Sequence, residues 1–384
     1  MSGTTKATRT TTLSGAAGHL AEQIGWIASH LPTRPAIPIL TGMRLQTTDD
    51  GWVNAHGTDH RVWAVADLDT DTDGPLDVVV PGRLLASLLV TLPRHLIVTL
   101  AIDPDQVRIA CGPTRASIRT LPAEDYPEAP AWPEPVGVLD ATHLAEAASR
   151  IVGAATTDES LPMLQGIHLT LAAQGAMLAA TDRYRFAVAT APWTPTLDGE
   201  ERERTALVPA RTLHQAAKAL ARSETVTVGL NEKGDMIGLS GDGRRITTTL
   251  IDHEFPTWER TRKLLPETDV EVDADITDLI ESVKRVSLFA ESATPVRITI
   301  TEPGLVVRAG TDEIAAAAAD VDARVEADHE LVIAMNPTFL AEALTSLPGS
   351  RVRFSIGPAD RAVLIRPADE EETGLMWMLM PVRQ

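Results

Sequence analysis

The dipeptide Thr-Asp occurs at three corresponding places in this chain, as Thr58-Asp59, Thr181-Asp182 and Thr311-Asp312. Each pair ends one apolar run and begins another, and successive pairs lie roughly 125 residues apart. Thr and Asp side chains bond to nearby backbone groups and favour tight turns between strands. A period of this length is typical of a domain rather than of a solenoid repeat, so the sequence predicts three tandem copies of one domain.

Other short motifs recur in register with the Thr-Asp pairs. The segments Pro38-Ile39-Leu40-Thr41-Gly42 and Pro162-Met163-Leu164-Gln165-Gly166 precede alternating runs in the first two copies. A helix opener containing proline follows each pair, around Pro81, Pro209 and Pro337. Each copy ends on a proline that follows an aromatic residue or a methionine: Tyr126-Pro127, Phe255-Pro256 and Met380-Pro381.

The periodicity of each copy predicts two helices and several strands. Apolar residues recur at spacings of three and four in the segments 20–31, 144–151 and 276–283, as in amphipathic helices. Alternating runs such as 167–171 and 296–300 predict strands. Each copy is therefore an α+β domain that carries its helices on one face of antiparallel strands.

Proline-rich segments at 127–135 and 264–267 mark the predicted domain boundaries. We expect a disordered lead-in at 1–12, a first domain at 13–135, a second at 136–266 and a third at 267–384. The lead-in lacks the apolar core of a signal peptide, and no apolar run is long enough to span a membrane.

Composition restricts the classes of partner. The net charge of -19 argues against a protein that holds nucleic acid by neutralising phosphates over its whole surface. Basic residues nevertheless cluster between Thr205 and Ser223, where a helical pattern contains Arg211, Lys218 and Arg222 and no acid. A solvated helix face would explain this cluster equally well. The single cysteine, Cys111, excludes an internal disulfide framework and fits a reducing compartment.

The sequence contains no recognisable catalytic or cofactor motif. Phosphate-binding loops, dinucleotide fingerprints, zinc-protease motifs and nucleophile elbows do not occur. The run Asp69–Gly74 resembles the start of a calcium loop, but Val80 occupies the position that needs a bidentate Glu. We therefore expect a solvated hairpin turn there, no metal, no cofactor and no enzyme activity.

The second Thr-Asp turn carries large side chains, in the run Thr181–Val188. Arg183, Tyr184, Arg185 and Phe186 are residue types that contribute strongly to binding at protein interfaces. The third turn continues instead with small residues. The second turn is therefore a candidate peptide-binding site.

These motifs resemble the bacterial replicative sliding clamp, the beta subunit of DNA polymerase III, over residues 13–384. The most specific pieces are the segments 34–40, 180–187, 250–256 and 379–384. The resemblance implies a cytoplasmic, head-to-tail homodimer that forms a ring around duplex DNA, with helices lining the hole and sheets outside. It implies a processivity factor that tethers the replicative polymerase, and that also receives the clamp loader and repair proteins through short linear peptides.

The resemblance also assigns residues to three surfaces. It places a partner-peptide pocket between the second and third domains, formed by Leu164, Thr181, Arg183, Tyr184, Arg185, Phe186, Pro256, Arg260, Met378, Leu379, Met380, Pro381, Val382 and Arg383. It makes the following residues face DNA: Arg34, Arg83, Arg150, Arg211, Lys218 and Arg222. It assigns Ile118, Leu288 and Phe289 to the dimer interface, although Leu288 and Phe289 could also be core residues at a helix end.

Some positions depart from the family pattern. Many members carry Gly-His where this chain has Arg183-Tyr184, and end in Leu where this chain ends in Gln384. Three alternatives follow: a specialised paralogue of the same fold, such as an antibiotic-resistant or phage-borne clamp; an interaction scaffold that never encircles DNA; and a DNA-processing enzyme built from repeated domains. The missing acidic metal site argues against the enzyme.

Overall fold

The computed structural model of the protein describes residues 10–196, 203–265, 267–290, 294–311, 315–326, 329–368 and 374–382. Its α-helices are α1 (Ala17–His30), α2 (Gly82–Leu89), α3 (Ala141–Ile151), α4 (Ala210–Leu220), α5 (Trp258–Thr261), α6 (Ile276–Ser287) and α7 (Pro337–Ser346). The predicted helices are confirmed at α1, α3 and α6, and the proline-containing openers begin α2, α4 and α7.

The strands of the first predicted domain are β1 (Thr11–Ala16), β2 (Gly42–Thr47), β3 (Val53–Thr58), β4 (Val62–Leu68), β5 (Asp71–Thr72), β6 (Asp77–Pro81), β7 (Ile97–Ile102), β8 (Gln106–Cys111) and β9 (Thr114–Arg119). Those of the second are β10 (Pro135–Asp140), β11 (Gly166–Ala172), β12 (Gly175–Thr181), β13 (Arg185–Ala191), β14 (Trp193–Pro195), β15 (Arg204–Pro209), β16 (Thr225–Leu230), β17 (Met236–Gly241) and β18 (Arg244–Thr249). Those of the third are β19 (Val270–Asp275), β20 (Val296–Thr301), β21 (Gly304–Thr311), β22 (Ala315–Val321), β23 (Ala323–Glu326), β24 (Leu331–Met335), β25 (Arg351–Ile356), β26 (Val363–Pro367) and β27 (Met376–Leu379).

The chain forms two compact units rather than three. Unit 1 contains residues 1–136 and 225–249, and unit 2 contains residues 137–224 and 250–384. The reason lies in strand pairing, because β18 of the second repeat pairs along β4 of the first, with Ile246 opposite Ala64. The three domain ranges read from the sequence remain a prediction.

Unit 1 contains a five-stranded antiparallel sheet in the order β5-β1-β7-β8-β9. A second run of antiparallel strands follows the order β16-β17-β18-β4-β3-β2-β6. Helices α1 and α2 pack together, and α1 buries Leu20, Ile24 and Ile27 in the core. This burial removes apolar surface from water, which is the main stabilising contribution to the domain.

Two predictions in unit 1 need correction. Thr11 and Thr12 belong to β1 and pair with Ile102 and Ala101, so the ordered fold begins inside the predicted lead-in; residues 1–9 lie outside the described residues. The run Asp69–Gly74 is not a plain hairpin turn, because β5 pairs with β1 and the Thr12 backbone N–H donates to Asp73 Oδ1 at 2.7 Å. The Asp73 carboxylate therefore helps to hold the short edge strand β5 against β1.

Unit 2 contains a nine-stranded antiparallel sheet in the order β15-β11-β12-β13-β27-β26-β25-β19-β23, and a four-stranded sheet in the order β22-β21-β20-β24. Helix α3 packs on α4 and α6 packs on α7. The predicted α+β architecture with antiparallel sheets is confirmed. Strand β27, near the end of the chain, pairs with β13, so two segments far apart in sequence share one surface.

Candidate partner-binding site

The second Thr-Asp pair builds the turn between β12 and β13. The Thr181 hydroxyl donates to the Arg185 backbone oxygen at 2.6 Å, and its oxygen accepts from the Arg183 N–H at 3.2 Å. Asp182 Oδ1 accepts from the backbone N–H groups of Tyr184 and Arg185, both at 3.0 Å. Arg183 takes a positive φ of 85°, which is uncommon for a residue with a side chain. The side chains of Thr181 and Asp182 thus fix this turn, as the sequence predicts.

The first Thr-Asp pair builds the same turn between β3 and β4. The Thr58 hydroxyl donates to the Val62 backbone oxygen at 2.7 Å, and Asp59 Oδ1 accepts from the Val62 N–H at 2.8 Å. His60 has a φ of 74° at the position that Arg183 takes in the second turn. The two turns are therefore structural copies. In the third repeat, Thr311 ends β21, and residues 312–314 lie outside the described residues.

The β13–β27 pairing brings Phe186 opposite Met378. Both are buried in a small apolar cluster, which we call the Phe186 cluster: Ala179, Phe186, Val188, Leu207, Phe255, Ala362 and Met378. Half-buried apolar side chains pack against it: Met177, Ile251, Trp258, Leu265 and Met376. The Phe186 ring centroid lies 6.0 Å from that of Phe255 and 5.8 Å from that of Trp258. A buried aromatic floor with a half-exposed apolar rim is suited to the apolar side chains of a peptide.

Residues adjacent to Phe186 and Met378 face the other side of the sheet, because side chains alternate along a strand. Arg185 Nε donates to Asp182 Oδ2 at 2.9 Å, and its guanidinium also pairs with Glu342 of α7. The guanidinium carbon lies 4.3 Å from the centroid of the Phe339 ring, in a cation–π contact. Arg185 therefore links the turn to α7 and does not belong to the Phe186 cluster, and its place in the partner pocket stays a prediction.

By the same alternation Leu379, which pairs with Arg185, is buried on the face opposite Met378. Tyr184 also lies outside the Phe186 cluster. Its ring stacks on the Phe339 ring with centroids 6.4 Å apart, and the residue is 56% exposed. Arg183 lies over the Tyr184 ring at 5.7 Å. Of the four large side chains in this turn, only Phe186 reaches the apolar cluster.

The remaining predicted pocket residues within the described chain lie in four places. Leu164 is buried in a short 3-10 turn that ends before β11, and Thr181 is buried inside the turn it fixes. Pro256 and Arg260 are exposed beside Phe255 and Trp258. The segment after β27 is partly exposed and contains Met380, Pro381 and Val382. The Met380 N–H donates to the Tyr184 oxygen at 2.8 Å, so this segment continues the pairing with the turn. Arg383 lies outside the described residues.

Several residues of the cluster were not predicted from the sequence. Phe255 precedes the recurring Pro256, and its first-repeat counterpart Tyr126 is also aromatic, so the repeat itself could have indicated it. Trp258 follows directly on that motif. Met177, and Glu342 outside the cluster, have no local signal, because their contacts depend on which strand and helix lie beside them.

The predicted DNA-facing residues lie on helices or in the segments directly after them. In unit 1, Arg83 is on α2 and its guanidinium donates to the Leu31 backbone oxygen, while Arg34 is exposed after α1. In unit 2, Arg150 on α3 pairs with Glu146 at 3.0 Å. Helix α4 exposes Arg211 and Lys218, and Arg222 is exposed just beyond it. The basic helix face read from the sequence is thus a real surface of unit 2.

The predicted interface residues differ in exposure. Leu288 caps the C-terminal end of α6 and is 83% exposed, and Phe289 is 48% exposed. Neither is a core residue of this chain, so the alternative reading of the pair is wrong. Ile118 is only 5% exposed and packs in the core of unit 1. Leu288 and Phe289 are therefore the members of this set that offer apolar surface to a partner.

Metal-ligating side chains do not cluster in the part of the chain that the structure describes. No group of three or more His, Cys, Asp or Glu side chains there is placed to hold a metal ion. No helix in the same part is long and apolar enough to cross a membrane. Cys111 is buried at the end of β8, as expected for a core residue.

Comparisons with known proteins agree with this architecture. Sequence models of the DNA polymerase III beta subunit match the N-terminal domain at residues 13–130, the central domain at 138–257 and the C-terminal domain at 262–383. The chain is 35% identical to the beta sliding clamp of Streptomyces coelicolor, covering 95% of this chain and 97% of that protein. It is 32% identical to the beta sliding clamp homolog GriR of Streptomyces muensis, covering 95% and 97%.

Solved structures show the same fold. The DnaN sliding clamp of Pseudomonas aeruginosa bound to griselimycin superposes with a TM-score of 0.87 at 22% identity, covering 98% of this chain and all of that one. The Bacillus subtilis clamp also gives 0.87 at 22% identity, with the same coverage. The tandem α+β domains matched by these three sequence models define the class of DNA sliding clamps. This chain belongs to the DNA polymerase III beta subunit family, the bacterial beta sliding clamps.

Proposed function

We propose that this protein acts as a non-catalytic, cytoplasmic processivity factor that closes around duplex DNA as a head-to-tail homodimer. The observation that carries the proposal is the match of all three clamp domains along one chain. A closed ring retains DNA by topology, so an acidic protein with limited basic surfaces can stay bound and still slide. Tight phosphate contacts would hinder that movement.

The basic residues on the helices support a weak, sequence-independent contact with phosphates. Arg211 and Lys218 are exposed on one face of α4. Contacts to phosphate position a protein on DNA but do not select a sequence. We therefore expect retention on DNA to depend on salt and not on base composition.

The Phe186 cluster is proposed to receive the partner peptides. The floor of Phe186, Phe255 and Met378 would hold apolar side chains, and Arg260, exposed just after Trp258, supplies a cationic group at the edge. Peptides of the Q-x-x-[LM]-x-F type carry suitable apolar residues at their C-terminal end. The replicative polymerase, the clamp loader and repair proteins would compete for this one groove through such peptides.

The first experiment measures mass in solution and retention on DNA. A dimer has roughly 82 kDa, twice the 41.2 kDa of the chain, and should stay on nicked circular DNA after loading but leave once the circle is cut. Release from circular and linear DNA at the same rate would favour the non-encircling scaffold. A stable monomer would exclude the ring.

The dimer contact can be removed by replacing both Leu288 and Phe289 with Ala. These side chains are 83% and 48% exposed, so their loss should not damage the fold but should cost a few kcal/mol of interface burial, roughly 25 cal/mol for each Å² of apolar area. Sedimentation should then show monomers at sub-micromolar concentration. Val332→Ala, at an exposed strand residue 39% accessible, serves as the matched control. A folded double variant that remains dimeric would disprove the assignment of this surface.

The similarity to GriR keeps the specialised paralogue as a second candidate function. A housekeeping clamp can be the only clamp of a cell, whereas a specialised paralogue works beside another one. A Streptomyces coelicolor strain depleted of its own clamp should grow when this chain replaces it, if it is a housekeeping clamp. Failure to support growth, with the purified protein still loading onto DNA, would favour the paralogue.

A further inference from the structure

The first repeat contains a counterpart of the Phe186 cluster, as the strand registers show. In unit 2, Ala179 lies opposite His168. In unit 1, His56 lies opposite Arg44 at the corresponding place on β2 and β3. The two places share a backbone arrangement but differ in side chains. His56 of the first repeat corresponds to Ala179 of the second, and Arg44 corresponds to His168.

The neighbouring strand also has a counterpart. In unit 2, Phe186 on β13 faces Met378 on β27. In unit 1, Trp63 on β4 faces Thr247 on β18. The aromatic residue before the closing proline is Phe255 in the second repeat and Tyr126 in the first. Both repeats thus have aromatic residues at these two positions, but the residues around them are more polar in the first repeat than in the second.

A cavity of about 280 Å³ occupies this place in unit 1. Its lining includes Arg44, Gln46, His56, Trp63, Tyr126 and Glu128. The Tyr126 hydroxyl donates to the His56 backbone oxygen at 3.2 Å, which holds the closing segment against β3. The cavity is large enough for one side chain of a partner, and small compared with sites for drug-sized ligands.

The polar groups of this cavity are mainly hydrogen-bond donors. Arg44 donates through Nε and Nη2 to Asp77, both at 2.7 Å, and its Nη1 has no acceptor among the described residues. The indole nitrogen of Trp63 is buried and has no partner within the same part of the chain. Arg245 adds a second positive charge near His56, and its own contact with Asp67 is long at 3.4 Å. Glu128 is an exposed carboxylate at the edge and, after Asp77, contributes to raising the pKa of Arg44, so an incoming acidic group competes with both carboxylates.

We infer that this cavity is a second peptide-binding site of the clamp, and that its anchor is an acidic side chain of a partner protein. A carboxylate would accept hydrogen bonds from the Arg44 guanidinium, and charge-assisted bonds of this kind are stronger than neutral ones. The inference rests on the proposed function only in taking the Phe186 cluster as a peptide site. The Phe186 cluster of the second repeat suits an apolar side chain of a partner peptide, and the Arg44 cavity of the first repeat suits an acidic one.

The test follows the indole N–H resonances of the intact dimer, labelled with ¹⁵N in tryptophan, during titration with short peptides. The Trp63 signal is assigned from its loss in Trp63→Phe. The probes are two acetylated and amidated pentapeptides of glycine and serine with a central Glu or a central Gln. We expect the Glu peptide to shift the Trp63 signal to saturation, and the Gln peptide to bind at least about tenfold more weakly.

Three variants decide the outcome. Arg44→Gln should abolish the response, and Asp77→Asn should strengthen it severalfold, because it removes the carboxylate that competes for Arg44. Arg108→Gln breaks an exposed Arg–Asp pair of 3.0 Å elsewhere in unit 1 and should change nothing. Asp77→Asn keeps the inference testable if Arg44→Gln fails to fold. Equal response to both peptides, no response, or an unchanged response in either decisive variant would overturn it.

The same samples separate this inference from the proposed function. A Q-x-x-L-x-F peptide should bind at the Phe186 cluster and lose affinity in Phe186→Ala, while the Glu peptide should bind that variant as it binds the wild type. If the Q-x-x-L-x-F peptide fails to bind and the Glu peptide still binds, the groove is refuted and the acidic site stands. The reverse result refutes only the acidic site.

Discussion

The turns at Thr58-Asp59 and Thr181-Asp182 have the same hydrogen bonds, yet the surfaces beside them differ. In both, the threonine hydroxyl donates to the backbone oxygen four residues later, at 2.7 and 2.6 Å. The first turn adjoins a polar cavity around Arg44, and the second adjoins the apolar Phe186 cluster. A repeated backbone can therefore be kept while its recognition chemistry changes, because the turn is fixed by its own side chains and the strand faces are free to vary.

The largest expected effect on peptide binding comes from removing Met380 to Gln384. This deletion eliminates the Met380 N–H bond to the Tyr184 oxygen, 2.8 Å long, and the exposed end of one wall beside Met378. We expect the affinity for a Q-x-x-L-x-F peptide to fall by at least about tenfold, or 1.4 kcal/mol, from a starting value near micromolar. Fluorescence anisotropy measures the change.

The deletion should leave the first-repeat cavity intact, which sharpens the comparison. Binding of the Glu pentapeptide to the truncated dimer serves as the control. Unchanged affinity for the Q-x-x-L-x-F peptide in a folded, dimeric variant would disprove the assignment of the Phe186 cluster as the peptide site. It would not bear on the proposed ring.

Acid should destabilise the first repeat through His56. Burial, with the nearby charges of Arg44 and Arg245, lowers the pKa of His56 from 6.5 to about 4. The folded state therefore favours neutral His56, and this contribution to stability is complete above pH 6.5 and is lost as the pH falls toward 4. The loss amounts to about 3 kcal/mol at pH 4.

His56→Ala introduces the residue found at the equivalent position of the second repeat, Ala179. Urea unfolding at pH 7 and pH 4.5 measures how much stability each protein loses on acidification. The wild type should lose more than the variant, whatever their absolute stabilities. Equal losses would show that His56 is not protected from protonation by the fold.

The smallest effect distinguishes the two turns themselves. Thr58→Val and Thr181→Val each remove a buried hydroxyl that donates one hydrogen bond and accepts another, with little change in shape, so each should cost about 1 to 2 kcal/mol of unfolding free energy. Only Thr181→Val should also weaken the apolar peptide, by about two- to threefold, through a looser Phe186. Thermal melting and peptide titration provide the two readings. Loss of affinity for the Q-x-x-L-x-F peptide in Thr58→Val would contradict the proposal that this peptide binds only beside the second turn.

The sequence predicted the repeat well because its signals are local. The Thr-Asp turn, the proline-containing helix openers and the closing prolines each depend on a few neighbouring residues, and the described copies appear where the spacing put them. The predicted split into three domains did not anticipate that β18 would pair with β4. Strand pairing between repeats depends on long-range register, which the pattern of a single strand does not contain.

The candidate site was predicted less completely. Phe186 and Met378 meet as expected, but Arg185 and Leu379 face the opposite side of the sheet. Strand alternation alone would have separated them, had the boundaries of β13 and β27 been known. Glu342, which pairs with Arg185 from α7, could not have been predicted, because the pair joins residues far apart in the chain.

Titration of one labelled Q-x-x-L-x-F peptide into Phe186→Ala and Trp63→Ala tests the central claim most directly. The two variants remove equivalent aromatic side chains from the two copies of the turn. Phe186→Ala should weaken binding by about tenfold or more, since it removes the floor of the cluster, and Trp63→Ala should bind like the wild type. Equal affinities in both variants, or a larger loss in Trp63→Ala, would contradict the assignment of partner recognition to the second repeat.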